Sequence, residues 1–65
     1  MKPKERILNF LKDNGKQPTS RISQDTTINY YKVKKLLFEL LKEKKVKKIE
    51  KNSFTYWEVN NKEKT

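Results

Sequence analysis

Between Asn29 and Lys35 the chain places two tyrosines, Tyr30 and Tyr31, directly ahead of three lysines, Lys32, Lys34 and Lys35. Ammonium groups attract phosphate oxygens whatever the base sequence, and a tyrosine ring and hydroxyl can meet the edge of a base. The chemistry within reach of these residues is recognition of a polyanion, with no covalent step. Bond-making has little to work with: the chain has no histidine and no cysteine. Its carboxylates are scattered without a paired-acid motif, and it has no glycine-rich loop to cradle a phosphate. Disulfides and the usual zinc sites are excluded for the same reason, so neither an enzyme nor a cofactor is expected.

The charge distribution supports this. Of a formal net charge of +9, residues 29 to 51 carry nine lysines against three acids, a local net of +6, while residues 52 to 65 are neutral overall. A lysine-rich compositional bias would raise the total without concentrating it. A local excess is the footprint of a surface that meets a polyanion. The 65 residues allow one domain, over residues 1–59, with a small and purely apolar core, because a chain this short buries only about 60% of its unfolded surface. No apolar run approaches the ~20 residues of a membrane span, and the N-terminus lacks a signal-type apolar region. The expectation is a cytoplasmic, nucleoid-associated protein without a membrane partner, and with no small-molecule ligand, since a domain this small has little room for a pocket beside its core.

The elements that must position the lysines can be read from spacing. Pro3 suits a first helical turn, Ile7, Leu8, Phe10 and Leu11 recur at helical spacing, and Gly15 is placed to end the helix as a left-handed cap. This predicts a helix from about Lys4 to Asn14 whose outer side (Glu5, Arg6, Asn9, Lys12, Asp13) is a solvated face. Lys16 to Pro18 reads as a connection. Thr19 then reads as the N-cap of a short helix, Ser20 to Asp25, anchored by Ile22, and the N-H groups at its start suit a phosphate. Asn29 is the predicted N-cap of a third helix reaching about Lys45, with Ile28 and Val33 as a hydrophobic staple. Val33, Leu36, Leu37, Leu40 and Leu41 form its apolar stripe. Tyr31, Lys35, Phe38 and Lys42 then line the outside, flanked by Lys32 and Lys34.

The lysines at the two ends of this helix differ in kind. Lys42, Lys44 and Lys45 sit where the helix dipole favours cations. Lys32, Lys34 and Lys35 lie in the first two turns, where it does not, most clearly for Lys32, at a cost of about 0.3 to 1 kcal/mol per exposed terminal charge. No acid precedes them by three or four residues. Glu39 is spaced to pair with Lys35, which leaves Lys32 and Lys34 unpaired. Beyond the helix, Val46–Ile49 and Phe54–Val59 read as two strands joined by a turn over Glu50–Ser53, with Trp57 and Val59 closing the core. Residues 60–65 read as a disordered polar tail.

Helix, short helix, long helix and hairpin, in this order and length, resemble the winged helix-turn-helix domain of small bacterial, archaeal or viral transcription regulators. The resemblance covers roughly residues 4 to 59. It rests on Thr19-Ser20-Arg21-Ile22-Ser23, on Ile28 through Lys35, on Leu40-Leu41-Lys42-Glu43-Lys44-Lys45-Val46 and on Tyr56-Trp57-Glu58-Val59. It implies an α+β fold of three helices followed by a two-stranded β-hairpin wing, and double-stranded DNA as partner. By resemblance, Tyr30, Tyr31, Lys32, Lys34 and Lys35 belong to the helix that enters the major groove. Thr19, Ser20 and Arg21 are the implied backbone contacts, and Lys51, Asn52 and Ser53 the wing contacts. The chain departs from the family pattern in having Thr26 and Thr27 in the turn before the third helix, where an apolar residue and glycine are common. It also has Lys45 where glycine often follows that helix. RNA or ribosome association is the alternative within binding modules. A protein-interaction adaptor using Tyr31 and Phe38 is the alternative outside them, and a homodimer is compatible with either.

Overall fold

The computed structural model describes residues 2–60. Its order is α1 (Pro3–Asn14), β1 (Gln17–Pro18), α2 (Thr19–Thr26), α3 (Tyr30–Lys42), β2 (Val46–Lys51) and β3 (Phe54–Val59). The three helices and the hairpin fall where hydrophobic spacing puts them. Nine side chains, from Ile7 and Leu11 of α1, Ile22 of α2, Ile28, then Val33, Leu37 and Leu40 of α3, to Val46 of β2 and Trp57 of β3, form one buried cluster. Leu36, Leu41 and Val59 pack at its edge, half-buried.

Trp57 lies at the centre of this arrangement. It is 1% exposed, and its indole N-H donates to Thr19 Oγ1 at 2.8 Å within the core. A buried indole without a partner would be costly, and the threonine hydroxyl satisfies it. This corrects the sequence expectation for Thr19. Its hydroxyl caps no helix; the residue before α2 is Pro18, and no side chain caps that end.

The hairpin is joined by a third strand. β1 pairs antiparallel with β3, Gln17 opposite Trp57 and Pro18 opposite Tyr56, giving the order β1-β3-β2. The segment expected to be a simple connection therefore covers one edge of the wing's central strand, and Pro18 is tolerated because β1 is itself an edge. The wing turn is tighter than expected. β2 runs on to Lys51, and only Asn52 and Ser53 turn, with φ of 50° and 71°, as a two-residue hairpin loop with both central residues left-handed requires.

Both helix ends flanking the sheet close differently from expectation. Gly15 has the expected positive φ, 76°, but its ψ of −154° takes it out of the left-handed helical region; its N-H still bonds Leu11 O at 2.8 Å. α3 stops at Lys42 rather than Lys45. Lys44 N-H donates to Leu41 O at 3.0 Å and Lys45 N-H to Leu40 O at 2.9 Å, the paired bonds of a Schellman close. The left-handed residue is Lys44, φ 63°, one before the position the family pattern indicates. A side chain there costs roughly 1 to 2 kcal/mol. Lys44→Gly should relieve it, offset partly by glycine's greater freedom when unfolded. A gain of about 0.5 to 1 kcal/mol is expected, seen as a higher urea midpoint with an unchanged slope; a lower midpoint would contradict the assignment.

α1 is tied to the end of α3 by charge. Lys4 Nζ lies 2.7 Å from Glu43 Oε2 and 3.2 Å from Glu39 Oε1. The hydrogen bond from Lys4 holds the Glu43 carboxyl below its ordinary range, and the bonds to Glu43 and then Glu39 raise the Lys4 ammonium above its own. Asn60, read from sequence as part of the tail, donates its N-H to Lys45 O at 2.9 Å and its amide to Lys44 O at 3.2 Å. The remainder of that tail, residues 61–65, lies outside the described residues.

Candidate nucleic-acid interface

The start of α3 is fixed by one side chain. Asn29 Oδ1 accepts from the N-H groups of Tyr31, at 2.9 Å, and Lys32, at 3.3 Å, as an N-cap should. Ile28 and Val33, the staple positions, are both buried. Cap and staple set the rotation of the helix, so Tyr31, Lys32, Lys34 and Lys35 emerge on the solvent side. The first turn contains no acid.

The sequence left Glu39 free to neutralise Lys35. In the structure Glu39 is engaged by Lys4 of α1. Among the described residues Lys32, Lys34 and Lys35 have no ion pair, and three exposed cations stand in the first two turns, toward the end where the helix dipole opposes them.

The tyrosines differ. Tyr31 is 76% exposed and Tyr30 41%, the two rings meeting edge to face at 5.5 Å. Tyr30 turns toward the wing. A groove of about 290 Å³ runs between α3 and the sheet, walled by Tyr30, Lys34 and Phe38 on the helix and by Lys48 and Thr55 on the strands, with Thr19 and Trp57 at its base. A second hollow of about 250 Å³ continues from Tyr30 past Pro18 and Ser20 to Ser53 and Phe54.

Phe38, on the outer face as the spacing predicts, is 40% exposed. Its ring stands edge to face with Trp57 at 5.5 Å, and Lys48 Nζ lies 5.3 Å from its centroid. It therefore roofs the tryptophan and shapes the groove.

The other predicted positions separate into groups. Ser20 is exposed at the start of α2 and lines the second hollow. Arg21 is also exposed, but its Nε is held 2.9 Å from Asp25 Oδ2. Thr19 is buried beneath the groove, which removes it from the outward-facing backbone contacts. Lys51, Asn52 and Ser53 are exposed at the wing tip. Sequence reasoning missed Lys48, counted there only as charge. Alternation from buried Val46 would have placed it on the helix-facing side, and it pairs across the strands with Trp57. Its ammonium is shared with Glu50 at 3.2 Å.

Three helices with a wing folded against the third define a winged helix-turn-helix domain, with the unpaired lysines on the helix beside the wing. The chain belongs to the FaeA-like protein family, whose model matches residues 3–61. Among solved structures it is similar to the Zα domain of Carassius auratus PKZ in complex with Z-DNA. That match has TM-score 0.78 and 21% identity over 86% of this chain and 89% of that one. It is also similar to a PKZ Zα domain in complex with ds(CG)6, with TM-score 0.78 and 25% identity over 85% and 89%. No curated protein matches significantly.

Proposed function

We propose that this chain is a DNA-binding protein, a transcriptional regulator that lays the first turns of α3 in the major groove of double-stranded DNA and rests its wing on the backbone. One observation carries the proposal: Lys32, Lys34 and Lys35 are all exposed in the first two turns of α3 without an acid partner among the described residues, toward the end of the helix that disfavours cations. A polyanion supplies the missing counter-charge. Tyr31 is the candidate for base contact, and Lys51, Asn52 and Ser53 for phosphate contact. The protein acts in the cytoplasm on the nucleoid, as a single copy or as a homodimer, and needs no cofactor.

The form of the duplex is a second question, prompted by neighbours captured on Z-DNA and on ds(CG)6. An amide-shift titration of the protein with a generic right-handed duplex and with a d(CG)6 duplex tests both. The largest shifts are expected at Tyr30–Lys35, Lys48 and the 51–53 tip, with the outer side of α1 unaffected. Shifts confined to α1, or none with either duplex, would reject the proposal. Displacement of the duplex by structured RNA at lower concentration would favour RNA association.

A further inference from the structure

The direction in which α3 presents its lysines is set by the turn between α2 and α3, and that turn is built on an unfavourable residue. Thr27 has φ 56° and ψ 30°, a left-handed conformation that crowds any L side chain and a β-branched one most. One hydroxyl braces the turn from α2, Ser23 Oγ donating to Ile28 O at 2.6 Å, while Thr26 Oγ1 bonds back to Ile22 O within the helix, also at 2.6 Å. The remaining brace comes from α1. Arg6 Nη2 donates to the carbonyl of Thr26 and, at 3.4 Å, to Thr27 Oγ1, while the Thr27 hydroxyl donates to the same carbonyl.

That carbonyl belongs to the last turn of α2, where carbonyls lack helical partners and a cation is favoured. Arg6 makes no ion pair among the described residues, and its guanidinium bonds to this turn. Only Ile28 and Asn29 separate the gripped residues from Tyr30.

We propose that Arg6, on the helix farthest in sequence from the interface, is a positioning residue for DNA recognition, holding Thr27 left-handed so that α3 meets the duplex at a fixed angle. The inference rests on the DNA-binding role proposed above. If the turn is released, only the fraction of molecules with the native angle binds, and apparent affinity falls by that fraction.

The test compares Arg6→Ala, Arg6→Lys and Arg6→Ala/Thr27→Gly with the parent protein, measuring duplex affinity across a salt series and amide exchange at Ile28 and Asn29 without DNA. Arg6→Ala should lose about fivefold to thirtyfold in affinity, the factor one weakened turn can supply, with an unchanged salt slope and faster exchange. Arg6→Lys keeps the charge without the planar fork and should lose affinity as well. The double variant should recover most of the affinity and the slow exchange, because glycine adopts the left-handed turn unaided. Three results would overturn the proposal: unchanged affinity in Arg6→Ala; full affinity in Arg6→Lys; or a slope shallower by about one that glycine does not rescue, the mark of a direct phosphate contact. If the parent protein binds no duplex, the DNA-binding role fails. Exchange at the turn then decides the brace by itself: faster in Arg6→Ala and restored by glycine if it exists, unchanged if it does not.

Discussion

Trp57→Ala is expected to leave the protein largely unfolded at room temperature. Truncating a buried aromatic costs about 3 to 5 kcal/mol through lost transfer energy and the cavity left behind. A domain of this length has only about 3 to 10 kcal/mol in total. The site aggravates the loss, because the Thr19 hydroxyl loses its indole donor and Phe38 loses the ring it stands against. The groove between α3 and the wing has this residue as its floor, so the fold and the interface should fail together. Circular dichroism against urea measures the effect. A midpoint within error of the parent protein would mean that Trp57 does not close the core.

Replacing Lys32, Lys34 and Lys35 together by alanine should have the opposite profile. The three side chains are exposed and unpaired among the described residues, and alanine is the better helix former, so stability should hold or rise slightly. Binding to duplex DNA should fall about a hundredfold or more at moderate salt, since each lost phosphate contact removes close to one released counterion. The dependence of log K on log salt should become shallower by about two to three. Fluorescence anisotropy with a labelled duplex reads both quantities. Retained affinity would move the interface off α3.

The start of α3 was legible because everything that determines it is local. Asn29, Ile28 and Val33 lie within six residues, and the stripe from Val33 to Leu41 leaves one rotation of the helix able to bury it. Features decided by distant partners were not legible. β1 has two residues, one of them proline, and only pairing with Tyr56 and Trp57 makes it a strand. Thr19 has the residue type and place of a cap, yet an indole 38 residues away claims its hydroxyl. Glu39 stands four residues from Lys35, and Lys4 reaches it from another helix.

Arg6 shows the same limit. On α1 it reads as one of several charges on a solvated face, and the carbonyl it grips, 20 residues on, is invisible to helical periodicity. The family pattern did mark the place. Threonines stand in the turn where glycine is common, a departure that pointed to a more open turn and gave no sign of what holds the backbone there. Lys48 was accessible by simpler means, since alternation from Val46 assigns its side once β2 is accepted as a strand.

The most direct test of the central claim, that an unpaired lysine face on α3 beside the wing binds duplex DNA, is the salt dependence of affinity for a generic duplex. With Lys32, Lys34, Lys35 and the wing tip engaging about four to six phosphates, log K should fall against log salt with a slope of roughly −4 to −5. A slope near zero, or no measurable binding at low salt, would contradict it.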